Sequence, residues 1–176
     1  MSQGPQPILR HRETVFTGRV FRVERDELTL SNGASTTLDI VRHRGSVVLV
    51  PQPAPDRIVL IRQYRHAIGQ WIWEVPAGTL DSGEAPETAA RRECEEEIAL
   101  TPGRITRLGA YYPTPGICDE LMVFYRLEEL TPLTHPVSHD ADEQIEPRVF
   151  TLTEARTLLA QGEICDLKTA LALSLV

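Results

Sequence analysis

The stretch that most constrains this chain runs from Pro86 to about Ile98, where a helical pattern interrupts a succession of short extended segments. Proline is tolerated in a first helical turn, and Ala90, Cys94 and Ile98 recur every four residues to make one apolar stripe. An adjoining face is acidic. At about 100° per residue, with Glu93 at zero, Glu96 falls at about −60° and Glu97 at about +40°, while Glu95 points away. Three carboxylates therefore share one face. Like charges at these spacings repel by about 0.3 kcal/mol per pair, and they lie towards the helix C-terminus, where the dipole disfavours anions. Such a face is either a solvated acidic surface or a set of hard oxygen ligands for Mg²⁺ or Mn²⁺.

The first 42 residues read as short strands. Residues 15–23 mix period-two alternation with a glycine break; Leu28 and Leu30 alternate up to Asn32-Gly33, and Leu38 and Ile40 alternate away from it. Asn-Gly between alternating apolar residues predicts a hairpin, because both residues tolerate positive φ. This small antiparallel sheet has few residues for a core of its own, so it is expected to pack on the main domain or on a second subunit. Ser46–Pro51 and residues 57–61 are apolar strand candidates across a proline-rich turn, and residues 71–75 are extended and closed by Pro76-Ala77-Gly78. Beyond the helix, residues 104–112 and 121–127 have strand composition around a Pro/Gly loop. Residues 130–147 read as a polar loop and 148–152 as a short strand. Thr153 is expected to cap a helix over 154–161, and residues 167–175 form one more.

At 176 residues, 41% apolar and 24% charged, the composition is that of one globular domain with an accessory arm, and it disfavours disordered, collagen-like and coiled-coil classes. The longest apolar runs, Ser46–Pro51 and residues 171–176, are too short to cross a bilayer. Residues 1–7 are polar and proline-rich, with no sign of a secretory leader. A net charge of −7 removes the bulk electrostatic drive for nucleic acid, so neither nucleic acid nor membrane is expected as a partner. An anionic substrate would need cations as mediators. Cys94, Cys118 and Cys165 are far apart, without a CxxC pair, and a reducing cytoplasm is the natural setting.

Gly78, five residues, Glu84, seven residues, then Arg92-Glu93-Cys94-x-Glu96-Glu97-x-Ala99-Leu100 resembles the Nudix box, G-x5-E-x7-R-E-U-x-E-E-x-G-U with U bulky and apolar. The resemblance implies an α/β (α+β) fold, an α/β/α sandwich with a mixed sheet (residues 44–176), preceded by an N-terminal antiparallel arm (residues 1–43). It implies a hydrolase acting on a nucleoside diphosphate linked to another group. On that mapping Glu93, Glu96 and Glu97 are metal ligands with the Ala77 carbonyl, and Glu96 and Glu97 carry the chemistry. The cofactor is Mg²⁺, or Mn²⁺ or another divalent cation. Glu84 sits at the edge of the metal site and, with Gly78, is counted among the substrate-binding residues, and Arg92 orients the glutamates by salt bridges. One departure is plain: Ala99 stands where the family carries glycine, at a helix end where a left-handed residue is common. It removes no ligand.

Resemblance extends beyond the box. Arg62-Gln63-Tyr64-Arg65, then Glu74-Val75-Pro76-Ala77-Gly78, looks like the segment leading into the box in ADP-ribose pyrophosphatases, and Pro115 stands sixteen residues beyond Ala99, as that subfamily's marker proline does. The arm resembles the one that this subfamily exchanges between subunits of a homodimer, where it contributes to both active sites. The substrate implied is ADP-ribose, cleaved to AMP and ribose 5-phosphate; the alternative is another nucleoside diphosphate sugar such as GDP-mannose. A non-catalytic ADP-ribose sensor would be expected to have lost box glutamates, and all three are present.

Other residues complete the candidate site. The resembling enzymes carry a general base in the long polar loop, which maps onto Glu143, with Glu146 as second choice. Arg65, with Arg62 beside it, is a candidate for the substrate phosphates, because a guanidinium fork matches phosphate oxygens. Pro115 is counted with the substrate-binding residues. Trp71 and Trp73 read as core or interface, and Cys94, on the apolar stripe, as core.

Overall fold

A computed structural model of the chain describes residues 4–134 and 144–176. Ten strands and three helices occupy these residues: β1 (Ile8–Thr17), β2 (Phe21–Thr29), β3 (Ser35–His43), β4 (Ser46–Pro51), β5 (Arg57–Arg65), β6 (Gln70–Glu74), β7 (Ala77–Thr79), α1 (Pro86–Ile98), β8 (Leu100–Tyr111), β9 (Met122–Pro132), β10 (Ile145–Thr151), α2 (Leu152–Gln161) and α3 (Leu167–Ser174). The fold is mixed α+β. The chain forms two compact units, one of Met1–Gly45 with Tyr112–Leu121, the other of Ser46–Tyr111 with Met122–Val176.

The first unit is the antiparallel sheet β1-β2-β3. The turn between β2 and β3 is centred on Asn32-Gly33, but only Gly33 takes positive φ, at 85°. Asn32 instead accepts a hydrogen bond from the Ala34 N–H through its side chain, so the hairpin closes over five residues rather than two. The 112–121 segment joins this unit through backbone bonds: Val41 N–H donates to Ile117 O, and Asp119 N–H donates to Val41 O.

The second unit is a layered sandwich, as the alternation along its strands dictates. One sheet runs β7-β4-β9-β8, with β4 parallel to β9 and the other pairs antiparallel; the second runs β10-β5-β6 and is antiparallel. Every residue of β4 is buried, because its two faces pack in opposite directions. Val47 and Leu49, with Val59, Ile61 and Tyr125, meet Ala89, Ala90, Cys94 and Ile98 of α1. Val48 and Val50, with Ile58, Leu60 and Phe124, meet Ala155 of α2, Ile164, and Ala172 and Leu173 of α3. Helices therefore cover both faces. Each such aliphatic side chain contributes about 2 kcal/mol on burial.

Several boundaries differ from the sequence reading: the first extended segment splits into β1 and β2, β5 runs on to Arg65, and β8 begins at Leu100. Helix α2 begins at Leu152 with Thr151, not Thr153, as its cap: the Thr151 hydroxyl accepts from Glu154 N–H at 3.1 Å, and Glu154 accepts from Thr151 N–H at 2.8 Å. Thr151-x-x-Glu154 is a reciprocal capping box, which outcompetes the single cap. The expected polar loop over 130–147 is shorter, because β9 runs on to Pro132 against Leu100 and β10 starts at Ile145 against Gln63.

Candidate active site

Helix α1 holds the carboxylates where its register places them. Its apolar stripe fixes the rotation: Ala90, Cys94 and Ile98 are buried in the core, and burial pushes the Cys94 thiol up to about 12. Glu93 and Glu97 are thereby turned inwards, at 9% and 4% exposure. Helix α1 ends at Ala99, whose φ of 56° and ψ of 36° are left-handed, and whose N–H bonds back to Cys94 O. Alanine adopts here the conformation in which the family carries glycine.

Arg92 gathers three of the four acids. Its guanidinium donates to Glu84 at 3.0 and 2.9 Å, to Glu93 at 2.7 Å and to Glu96 at 2.8 Å. Glu84 also accepts from Asp81 N–H at 3.0 Å, and the Arg92 bond holds its carboxyl below the ordinary carboxylate range. The same carboxylates push the Arg92 guanidinium up, Glu84 foremost. Glu97 is held from the other side, accepting from Ala77 N–H at 3.0 Å. Gly78 is required here because a Cβ at that position would overlap the Glu93 carboxylate.

Among the described residues, no three His, Cys, Asp or Glu side chains already stand as a metal cage, and Arg92 engages Glu93 and Glu96. The donor set nevertheless fits a hard divalent cation. Arg92 bonds three of the four carboxylates, the Arg65 guanidinium feels the fourth, Glu97, two of the four are buried, and the Ala77 peptide lies against Glu97. Carboxylate and peptide oxygens suit Mg²⁺ or Mn²⁺.

The remaining candidates are distributed differently. Arg65 and Arg62 lie an odd number of positions apart on β5, so they point to opposite faces. Arg65 makes a two-pronged bond to Glu74, at 2.6 and 2.8 Å, which pushes its guanidinium up. Arg62 lies over the Trp71 ring at 5.5 Å. Trp73 packs edge-on against Phe150. Pro115 belongs to the first unit, where it lines a cavity of about 420 Å³ with Leu28, Leu38, Ile40 and Tyr112. Glu143 lies outside the described residues. Glu146 is exposed on β10, in register with Arg62.

Sequence reasoning missed Glu74, Asp166, Lys168 and Thr169. Glu74 is 1% exposed and accepts from both Arg65 and Lys168. The signal was its parity with Ile72: two positions apart on β6, both must face inwards.

This chain matches the NUDIX domain over residues 41–169. An ADP-ribose pyrophosphatase of Bacillus subtilis is 35% identical over 162 residues, 92% of this chain and 88% of its own. A GDP-mannose pyrophosphatase of Citrobacter koseri is 34% identical over 164 residues, 84% of this chain and 82% of its own. A solved structure of an ADP compounds hydrolase is similar with a TM-score of 0.85 at 26% identity, over 99% of this chain and 94% of that one. The chain belongs to the Nudix family. It is an enzyme, a hydrolase of that family.

Proposed function

We propose that this hydrolase cleaves the pyrophosphate bond of ADP-ribose to AMP and ribose 5-phosphate in the presence of Mg²⁺. Hydrolysis of nucleoside diphosphate derivatives is the coarser reading, supported by the relatives of both substrate types. The ADP-ribose reading is supported by the ADP-ribose pyrophosphatase relative and by Pro115 sixteen residues past Ala99. The observation that carries the chemistry is the carboxylate cluster at α1: Arg92 bonds Glu84, Glu93 and Glu96, and Glu97 accepts from the Ala77 N–H.

Glu93, Glu96, Glu97 and the Ala77 carbonyl would hold the metal. Bound there, it would screen the pyrophosphate charge, polarise phosphorus and lower the pKa of a water. The protein's own part is to pre-orient these oxygens. Arg92 aligns Glu93 and Glu96, and Glu84, fixed by Asp81 N–H, anchors Arg92 in turn. Gly78 leaves room for Glu93 beside β7. Glu143 is assigned as the general base, with Glu146 second, taking a proton from the attacking water at a carboxylate oxygen. Arg65 is assigned to the substrate phosphates. To bind them it must share or leave Glu74, which then keeps Lys168 as its partner.

A homodimer formed through the arm, residues 1–43, completes the reading. It is supported by the exposed Ile8, Leu9, Val15, Phe16 and Phe21 of that sheet. A cytoplasmic location accompanies it; among the described residues, no helix is long and apolar enough to cross a membrane. The test is product analysis with ADP-ribose, GDP-mannose and dinucleotides under Mg²⁺. AMP formed fastest from ADP-ribose supports the assignment; faster GDP-mannose turnover replaces the substrate; no turnover with any divalent metal favours the sensor.

A further inference from the structure

Strand β6 ends at Glu74 in one sheet and β7 begins at Ala77 in the other, so two residues, Val75 and Pro76, carry the chain between sheets. Each residue from Glu74 to Ala77 is gripped from outside the crossover. The Glu74 carboxylate accepts from Arg65 and from Lys168. Val75 N–H donates to the Thr169 hydroxyl at 2.9 Å. Pro76 O accepts from Leu49 N–H at 2.9 Å, and Ala77 N–H donates to Glu97 at 3.0 Å.

Two of these grips come from the first turn of α3, more than ninety residues along the chain. Asp166 organises that turn. It accepts from Thr169 N–H at 3.0 Å as the helix cap, from the Thr169 hydroxyl at 2.6 Å and from Lys168 at 2.9 Å. Thr169 is fully buried, so its hydroxyl has no water to fall back on, and its one proton is committed to Asp166. Its lone pair is thereby aimed at Val75 N–H. A buried donor left without this acceptor would be costly, and Val75 could recover solvation only if the crossover moved. Such a movement would carry the Ala77 peptide away from Glu97.

We propose that Asp166, Lys168 and Thr169 are positioning residues that set the Ala77 peptide against Glu97, and so fix the affinity of the carboxylate centre for its divalent cation. The inference rests on the metal-site reading above, and it concerns residues outside the proposed metal-ligand set. Replacing groups that orient metal ligands typically costs about 10–100-fold in metal affinity or activity.

The test is calorimetric titration of the full-length protein with Mn²⁺ alone, with no substrate present. Thr169→Val keeps the shape and removes the hydroxyl; it is expected to weaken Mn²⁺ binding about tenfold. Thr169→Ser restores the hydroxyl and should return binding to within about twofold of the parent protein. Ala172→Gly weakens the same buried helix without touching the network, and should lower Tm while leaving Mn²⁺ affinity unchanged. Asp166→Asn, which keeps the cap's shape, serves in place of Thr169→Val if that variant does not fold. Mn²⁺ binding to Thr169→Val at the parental strength, or an equal loss in Ala172→Gly, would overturn the inference while the metal-site reading stands. No Mn²⁺ binding by the parent protein would overturn both.

Discussion

Two clusters of carboxylates, one in each unit, have different charge balances. In the N-terminal sheet, Glu24, Asp26 and Asp119 face Arg12, Arg22 and Arg42. Arg12 bonds Asp26 at 2.6 and 2.7 Å, Arg22 bonds Glu24 at 2.8 Å, and Arg42 reaches all three acids at 2.8, 3.1 and 3.2 Å. Acids and arginines are equal in number, and the arginines hold Glu24 and Asp26 below the ordinary carboxylate range. At α1, Arg92 bonds Glu84, Glu93 and Glu96, and Glu97 has the Arg65 guanidinium, itself bonded to Glu74, as a further positive charge. A matched cluster stabilises a sheet. An under-neutralised one costs stability, and its place in a folded protein makes sense when a cation from solution completes it. Counting charges within each cluster thus separates structure from chemistry, where counting acidic residues would not.

The sharpest way to break this contrast is to remove one charge from each cluster. Glu97→Gln keeps an acceptor for Ala77 N–H and removes a negative charge; kcat for the preferred nucleotide should fall by about 10²–10³-fold, with Tm unchanged or raised. Arg42→Met in the N-terminal sheet strips a partner from three acids at once, and Tm should fall by about 5 °C. Steady-state kinetics and a thermal melt on each variant decide the matter. A stabilised Arg42→Met or a fully active Glu97→Gln would dissolve the distinction.

Geometry can be separated from charge at Gly78. Gly78→Ala changes no charge, yet its Cβ would overlap the Glu93 carboxylate. Displacing that carboxylate by about 1 Å should lower kcat by about 10–100-fold. Unaltered kcat in Gly78→Ala would mean that Glu93 need not sit against β7.

Acid sharpens the comparison from the other side. The folded-state pKa values of Glu24, Asp26 and Asp39 are lowered, with side-chain bonds to Arg22, Arg12 and Arg25 as the respective main causes. A lowered folded pKa gives stability that is complete above the unfolded value, about 4. It is lost as pH falls through that value towards the folded ones. Melts between about pH 7 and pH 5 should therefore show little change from these groups, with Tm dropping below about pH 4. Arg42→Met should flatten that drop.

Much of this was legible in the sequence, and the parts that were not have physical reasons. The limits of α1 follow from Pro86 and from the repeat of Ala90, Cys94 and Ile98, which a helix must bury. The grouping of Glu93, Glu96 and Glu97 follows from the same helical pitch. Arg65 reads as a phosphate ligand because a guanidinium on a strand near the box suits one; that Glu74 engages it depends on a contact across β5 and β6 that spacing alone does not reveal. The Thr169–Val75 bond joins residues 94 apart, and no local pattern marks such a pair. The cap at Thr151 was readable, since Glu154 three residues on completes a box, whereas a single threonine nearer the apolar run was the more obvious choice.

Ala99 offers the smallest effect and the cleanest separation of backbone from charge on α1. An L-residue in the left-handed region costs about 1–2 kcal/mol, which glycine avoids, while glycine's extra freedom in the unfolded chain returns about 0.5–1 kcal/mol of that gain. Ala99→Gly should therefore stabilise the protein by about 0.5–1 kcal/mol, or about 2 °C in Tm for a chain of this size. Because the Ala99 N–H bonds to Cys94 O whatever the side chain, the carboxylates keep their places, and kcat and Mn²⁺ affinity should be unchanged. A rise in Tm accompanied by a gain in metal affinity would mean that the strained alanine also holds Glu96 and Glu97 out of register. The charge imbalance on α1 would then be partly a matter of backbone geometry.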